Sequence, residues 1–256
     1  MGRQLLSAIA EREDDVITAA ADAPGQPAIG LDTSVLSGGA STGVLVSDNV
    51  AALSSASQVI IDFTGPAVSL SLLDQLSGSD TCVVIGTTGF NEEQLVQLRA
   101  HAQTRPIVFA PNYSVGVTVT LALLEQAARA FGDDYDVEIL EAHHRHKVDA
   151  PSGTAVKLGE VVADALGRDL STCAVYGRQG ITGARDSNTI GFATVRAGDI
   201  IGEHTVLFAG NGERIEITHK ATDRMTFARG AVKAAVWLAS QPPGLYDMTH
   251  VLGIDR

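Results

Sequence analysis

A run of basic and protonatable side chains is the feature of this sequence best suited to chemistry. It reads His143-His144-Arg145-His146-Lys147, and histidine and lysine can both deliver protons near neutral pH. The run leads into Pro151-Ser152-Gly153-Thr154, which suits the start of a helix, where free backbone N–H groups attract anions. We therefore predict a pocket for a carboxylate or phosphate, to which His144 and Lys147 add positive charge. The alternative is a solvated charged loop with an ordinary helix cap.

A metal site in the same run is a weaker interpretation. His144 and His146 lie two residues apart, so on a strand both would share one face. No second acidic or histidine cluster supplies the remaining ligands, and we predict no metal.

Two glycine- or proline-containing turns form the second feature. Residues 83–85 are apolar and lead into Gly86-Thr87-Thr88-Gly89, and residues 107–110 lead into Pro111-Asn112-Tyr113-Ser114. In open α/β sheets ligands bind beyond the carboxyl ends of strands, which places these turns where a cofactor would lie. Asp22 follows another predicted strand, where a carboxylate could bind the ribose hydroxyls of a dinucleotide. The alternatives are a plain tight turn at Gly86 and a solvated turn residue at Asp22.

Strands and helices that alternate fill the first half of the chain, after a helix that begins at Met1. Residues 66–76 and 91–102 have helical spacing and open on Pro66 and Asn91, which suit a first turn and an N-cap. Strands that are apolar throughout and alternate with helices predict a parallel sheet buried on both faces. The predicted strands are residues 16–21, 44–47, 59–63, 82–86 and 107–110.

The second half has a different pattern. Helices are predicted over residues 115–131, 153–166 and 225–238, and a strand over residues 137–141. Three β-rich runs, residues 189–196, 203–209 and 213–220, are separated by Ala197-Gly198-Asp199 and Gly210-Asn211-Gly212. Turn residues between such runs predict antiparallel hairpins or a meander.

Composition excludes several classes of protein. The 256 residues are 45% hydrophobic and 19% charged, as in ordinary globular proteins, and the net charge of -12 argues against nucleic-acid binding. The charged N-terminal residues argue against a signal peptide, and no run is long enough to span a membrane. Two distant cysteines, Cys82 and Cys173, fit a reducing compartment. We expect a cytoplasmic protein.

Taken together, these segments closely resemble the dihydrodipicolinate reductase (4-hydroxy-tetrahydrodipicolinate reductase) family, which uses a nicotinamide cofactor in diaminopimelate and lysine biosynthesis. The resemblance covers essentially the whole chain. It is carried by EAHHRHKVDAPSGTA from Glu141, IGTTGF from Ile85, NYSVG from Asn112 and TIGFATVRAGDIIGEH from Thr189.

The resemblance implies an α/β fold with two domains. A Rossmann-type dinucleotide-binding domain would span residues 1–112 and 226–256, and an α+β domain for substrate binding and tetramerisation would span residues 113–225. A homotetramer is expected, with a small dicarboxylate as substrate and with neither nucleic acid nor a membrane as a partner.

The resemblance also implies roles for individual residues. His143 matches the family's proposed acid and Lys147 a second proton donor. Residues that would hold the substrate's carboxylates are His144, Lys147, Gly153 and Thr154. Residues that would hold NADH or NADPH are Met1, Asp22, Gly86, Thr87, Thr88, Ala110, Pro111, Asn112 and Tyr113. Because Ala23 follows Asp22 where a cation would pair with a 2'-phosphate, we expect NADH to be used at least as well as NADPH.

The chain departs from the family at its start. Family members have a strand and a glycine-rich turn ahead of the helix that here begins at Met1, and the turn's amides cradle the cofactor pyrophosphate. We expect a natural start about 10 to 20 residues upstream; the alternative is a chain that is really made short. For the 256-residue chain we expect weak cofactor binding. The alternative function is a non-catalytic homologue that binds a dicarboxylate or a partner protein.

Overall fold

The structure is a computed structural model that describes residues 1–50, 53 and 56–254. Contacts divide the described residues into two compact units, Met1–Val115 together with residues 225–254, and Gly116–Arg224. Residues 51, 52, 54, 55, 255 and 256, which belong to the predicted first domain, lie outside the described residues.

The helices and strands are numbered here in chain order. The α-helices are α1 Gly2–Ala10, α2 Thr33–Ser37, α3 Pro66–Gln75, α4 Glu92–His101, α5 Val115–Phe131, α6 Gly153–Ala165, α7 Leu170–Cys173, α8 Met225–Leu238 and α9 Met248–Leu252. The strands are β1 Ala20–Ala21, β2 Val46–Ser47, β3 Val59–Asp62, β4 Cys82–Ile85, β5 Pro106–Phe109, β6 Asp136–His143, β7 Ala174–Tyr176, β8 Ile190–Arg196, β9 Gly202–Ala209, β10 Arg214–Ala221 and β11 Gly244–Tyr246.

A parallel sheet in the order β11-β5-β4-β3 is the centre of the first unit. All four residues of β4 are buried. Cys82 and Val84 pack into a cluster with α1 and α8, whereas Val83 and Ile85 pack into a second cluster with α3 and α4. The continuously apolar strand is therefore covered on both faces, and the predicted α/β class is confirmed.

The predicted strand over residues 16–21 is wrong in length. Only Ala20 and Ala21 pair, and they form a separate two-stranded parallel sheet with β2. Val16 is 78% exposed, so the start of the predicted strand has neither a paired neighbour nor packing to hold it extended.

The second unit is built on a mixed sheet in the order β10-β9-β6-β8-β7. One face packs against α5 and α6 through a cluster that includes Leu124, Leu158, Ile139 and Phe208. The residues of β6 alternate between this face and the opposite one, as the period of a strand requires.

The predicted meander is correct only for its second half. β9 and β10 form an antiparallel hairpin, but β8 pairs in parallel with β6, and β6 lies between β8 and β9. The turn at Ala197-Gly198-Asp199 therefore crosses the end of β6, where the Ala197 N–H donates to the His143 carbonyl oxygen. A turn motif indicates that the chain reverses, but it does not determine whether another strand inserts between the two arms.

Within the described residues, no helix is both long enough and apolar enough to cross a membrane.

Candidate active site

Strand β6 carries two of the chemically important side chains of the second unit on one face. Glu141 and His143 lie two residues apart, so the alternation of the strand points both toward the helices. Glu141 is 2% exposed and His143 is 8% exposed. A buried carboxylate requires hydrogen-bond donors or a counter-charge to stay ionised.

Glu141 has both. Arg196 on β8 donates to the two carboxylate oxygens over 2.7 and 2.8 Å, and the backbone N–H of Ser152 donates over 3.0 Å. The His143 ring contributes a further contact from Nδ1, at 2.6 Å. Burial raises the pKa of Glu141, but the hydrogen bonds from Arg196, His143 and Ser152 outweigh it and lower the pKa to about 2. Glu141 is therefore an anion at neutral pH.

The protonation of His143 follows from that anion. An ionised carboxylate can only accept, so Nδ1 of His143 carries the proton that it donates to Glu141. Burial lowers the pKa of His143, partly opposed by Glu141 and reinforced by the charge of Lys147. The imidazole is thus mainly neutral at neutral pH, with an unprotonated Nε2 beside Gly202, where a Cβ would lie 3.1 Å from that nitrogen.

A second buried histidine lies beside His143. His204 on β9 packs edge-on to the His143 ring with centroids 5.1 Å apart. Its Nε2 is 2.9 Å from the Ser152 hydroxyl, which also caps α6 by accepting from the Ala155 N–H. Burial lowers the pKa of His204 to about 4, aided by repulsion from His143 when that ring is protonated and from Lys147, so the His204 ring is neutral at neutral pH.

The predicted basic run begins on the last residue of β6, His143, and continues as a turn after the strand. The Lys147 N–H donates to the His144 carbonyl oxygen, and Lys147 Nζ lies 2.9 Å from Asp149. His144 Nε2 lies 3.4 Å from Arg224, whereas its Nδ1 is buried without a hydrogen-bond partner in the described structure. The structure thus places Lys147 near enough to His143 to influence its titration and leaves one nitrogen of His144 unused.

The start of α6 follows the turn, as predicted. Gly153 and Thr154 are the first two residues of the helix, after the N-cap Ser152. Gly153 is exposed and Thr154 is half-buried, and Thr154 lines a small cavity with His204 and His219. Because Ser152 is bonded to Glu141, the helix start and the strand that carries His143 are tied to the same carboxylate.

The predicted cofactor loops follow β4 and β5 in the first unit. These strands are parallel neighbours, so their carboxyl ends meet at one edge. Gly86 packs so closely against Phe63 that a Cβ would overlap its ring. Thr87 is buried, and its hydroxyl accepts from the Thr64 N–H over 3.0 Å, whereas Thr88 is exposed.

The loop after β5, like the loop after β4, has both buried and exposed residues. Ala110 and Tyr113 are buried, whereas Pro111 is exposed and Asn112 is half-buried. The Tyr113 hydroxyl donates inside the unit, 2.9 Å from the Ile85 carbonyl oxygen, and burial raises its pKa. The side chain of Tyr113 is therefore part of the core, and the loop presents backbone and Asn112 at its surface.

The two other predicted cofactor residues lie apart from these loops in sequence. Met1 is the exposed N-cap residue of α1, without a side-chain capping bond. Asp22 is exposed directly after β1, where its carboxylate accepts from the Ala23 N–H over 2.8 Å.

The sequence did not identify four residues that contact one another around His143. Glu141 accepts hydrogen bonds from Arg196, which is its counter-charge, and from the Ser152 N–H. The Ser152 hydroxyl in turn contacts His204. The predicted strand ended at Glu141, whereas the observed strand continues to His143; a strand extended by two residues would have placed the Glu-x-His side chains on one face. Asp62 was also missed. It is 4% exposed at the end of β3, and one oxygen accepts from Thr64.

Among the described residues, no group of three or more His, Cys, Asp or Glu side chains is placed to hold a metal ion.

Comparisons with known proteins identify the same family over both parts of the chain. Residues 1–113 match the family model described as dihydrodipicolinate reductase, N-terminus, and residues 116–252 match that described as dihydrodipicolinate reductase, C-terminus. Over 254 residues the chain is 58% identical to the 4-hydroxy-tetrahydrodipicolinate reductase of Alkalilimnicola ehrlichii and 55% identical to that of Hahella chejuensis. Each alignment covers 99% of this chain and 95% of the relative.

A solved structure is also similar over nearly the whole chain. The dipicolinate-bound dihydrodipicolinate reductase from Paenisporosarcina sp. TG-14 superposes with a TM-score of 0.75 at 25% identity, covering 96% of this chain and 92% of that one.

Proposed function

The chain belongs to the dihydrodipicolinate reductase family, and on this premise we propose that it reduces 4-hydroxy-tetrahydrodipicolinate to tetrahydrodipicolinate, in diaminopimelate and lysine biosynthesis. The observation that carries the proposal is the buried His143, held by Glu141 beside a cationic turn and a helix start. Relatives with this name match nearly the whole chain, which favours the reductase over a non-catalytic homologue.

The reaction requires only a few contributions from the protein itself. A reduced nicotinamide supplies the hydride, one proton is taken up, and the substrate hydroxyl leaves as water. The chain must orient the substrate, neutralise its two carboxylates and deliver the proton. The loops after β4 and β5 fit the cofactor, because they lie at the carboxyl edge of a parallel sheet and leave Thr88 and Asn112 at the surface. Met1 and Asp22 complete the proposed cofactor contacts.

The substrate carboxylates are assigned to His144, Lys147, Gly153 and Thr154. Lys147 brings a positive charge, and His144 lies in the same turn with a ring nitrogen, Nδ1, that has no hydrogen-bond partner in the described structure. First-turn amides of a helix such as α6 lack acceptors within the helix, which favours an anion there. A dicarboxylate of the size of dipicolinate suits such a set of donors, and dipicolinate is the molecule bound to the similar solved reductase.

Proton delivery is assigned to His143, with Lys147 as a second donor. Because the neutral ring has its proton on Nδ1 and uses it toward Glu141, His143 donates from Nε2 only after that nitrogen has been protonated. A dianionic substrate nearby favours the imidazolium form. Binding of the substrate would thus charge the acid that the reaction needs.

The proposed cofactor is NADH at least as readily as NADPH. The exposed carboxylate of Asp22 suits two ribose hydroxyls and repels a 2'-phosphate, and Ala23 beside it offers no positive charge. Comparison of kcat/KM for the two cofactors tests this assignment, and a strong preference for NADPH would refute it.

A homotetramer in the cytoplasm is the proposed state of the protein. The face of the mixed sheet that is turned away from α5 and α6 carries Leu140 and Val195, which are 45% and 51% exposed. Apolar side chains at the centre of an open sheet face are suited to burial against other copies. Both cysteines are free thiols, which suits a reducing compartment.

The function is tested by following the oxidation of NADH with 4-hydroxy-tetrahydrodipicolinate generated in situ by the preceding synthase. Oxidation that depends on the protein and on the synthase product is expected. Binding of dipicolinate without any oxidation of NADH or NADPH would favour the non-catalytic homologue instead.

A further inference from the structure

The Glu141 carboxylate joins three separate elements of the second unit. Its Oε1 accepts from Arg196 on β8 and from the Ser152 N–H at the start of α6, whereas its Oε2 accepts from Arg196 and from His143 on β6. Every donor approaches a side chain that is almost fully buried. The carboxylate therefore cannot turn away from His143 without giving up the other bonds.

We infer that Glu141 is a positioning residue that fixes His143 in the tautomer with the proton on Nδ1, so that Nε2 alone exchanges protons with the site. The inference deepens the proposed function and rests on it for its catalytic meaning. Which ring nitrogen of a histidine carries the proton is set by the hydrogen bonds that the ring makes. Here the partner of Nδ1 is the Glu141 carboxylate, an anion that can only accept.

Arg196 is needed for this role. A lone carboxylate in such a buried place would take up a proton and could then donate to Nδ1, which would reverse the tautomer. The two bonds from Arg196 keep Glu141 ionised. Arg196 also donates to the Asp149 carbonyl oxygen over 2.6 Å, so the same side chain fastens the loop that leads to α6.

The other nitrogen of His143 is directed at Gly202. The place of a Cβ on Gly202 is 3.1 Å from Nε2, and the absence of a side chain there leaves that nitrogen uncovered on this side. The charged and titratable groups that face the ring are Glu141 on its own strand, Arg196 on β8, His204 on β9 and Lys147 in the turn. Of these, only Glu141 is an anion.

The test is the ¹⁵N spectrum of the full-length protein labelled at histidine, at neutral pH, with His143 assigned by the loss of its signals in H143Q. The wild type is expected to show Nδ1 bonded to hydrogen and Nε2 without it. In Glu141→Gln the amide can donate to Nδ1, and a mixed or reversed tautomer is expected. Glu141→Asp, which keeps the charge, should retain the wild-type tautomer.

The matched control is Glu138→Gln. Glu138 lies on the same strand and, like Glu141, is bonded by arginine, in its case by Arg178 and Arg185, but it faces the opposite side of the sheet. Its substitution should leave the His143 spectrum unchanged. In the reductase assay, kcat of Glu141→Gln should fall by at least about tenfold, and by a larger factor than KM changes. A His143 ring in the wrong tautomer is not set up to take up a proton on Nε2 and donate it to the substrate.

The pH profile separates positioning from a merely structural role. Since Glu141 supports the imidazolium form of His143, its neutralisation lowers the His143 pKa, and the decline of kcat with rising pH should move to lower pH in Glu141→Gln.

A wild-type spectrum with hydrogen on Nε2, or a Glu141→Gln spectrum and profile like those of the wild type, would overturn the inference. If Glu141→Gln does not fold, the wild-type and Glu141→Asp spectra still decide. A wild type with the expected tautomer but without reductase activity would contradict the proposed function alone.

Discussion

Gly202 faces the Nε2 nitrogen of His143: a Cβ at position 202 would lie 3.1 Å from Nε2, closer than a side chain normally packs. The two residues come from β9 and β6, neighbouring antiparallel strands in the same sheet. A glycine here leaves the space beside Nε2 unfilled by a side chain.

Gly202→Ala is therefore expected to lower kcat by on the order of tenfold, because the methyl group displaces the ring from its working position. The residue is in a strand with an ordinary backbone conformation, so the fold should persist. Steady-state kinetics with circular dichroism check this prediction. Glu203→Gln, at the adjacent position on the other face of β9, is the control, and equal kcat values for the two variants would count against the assignment.

Lys147 provides a prediction about substrate affinity. A charge-assisted hydrogen bond contributes about 1.5 to 3 kcal/mol, so Lys147→Ala should weaken binding of dipicolinate by about tenfold to a hundredfold. Lys157→Ala is the matched control, because Lys157 is an exposed lysine of α6 that pairs with Glu160. Calorimetric titration measures both. Equal affinities in the two variants would remove Lys147 from the site.

The acid dependence of stability reports the buried carboxylate. The folded pKa of Glu141 is about 2 against an ordinary 4.5, so its ionisation stabilises the fold above pH 4.5. This contribution, roughly 3 kcal/mol at most, is lost as the pH falls from about 4.5 through 2. The difference in free energy of unfolding between the wild type and Glu141→Gln should thus narrow over that range. Urea unfolding at pH values from about 6 to 3 measures it, and a constant difference would show that the charge is unimportant.

The close approach of Gly86 to Phe63 predicts a double-mutant result. Gly86→Ala forces a methyl group into the aromatic ring, and overpacking of this kind costs about 1 to 3 kcal/mol. In a Phe63→Leu background the ring is absent, and the same substitution should cost clearly less. Thermal unfolding of the four proteins gives the coupling. Additive effects would mean that the ring does not press on Gly86.

Much of the fold was predictable because its signals are local. The predicted bounds of α5 and α8, residues 115–131 and 225–238, agree with the structure, since each helix carries an apolar face at regular spacing. The Asn91 cap was also evident, and it forms a reciprocal capping box with Gln94. The insertion of β6 between β8 and β9 was not predictable, because strand order depends on contacts between residues far apart in sequence.

The same distinction applies to the site. His143 and Lys147 are visible in the sequence because protonatable residues cluster there. Arg196 lies far from Glu141 along the chain, and only the parallel pairing of β6 with β8 brings the two together. The tautomer of His143 depends on that pairing, so it follows from the fold rather than from the motif.

The most direct test of the account is a comparison of the wild type with His143→Gln in the NADH oxidation assay with 4-hydroxy-tetrahydrodipicolinate. Glutamine keeps a polar side chain of similar reach but cannot carry the proton. The account predicts oxidation by the wild type and a variant whose kcat falls far more than its KM rises. A variant with an unchanged kcat would contradict the role of His143, and a wild type that oxidises neither NADH nor NADPH would contradict the proposed function itself.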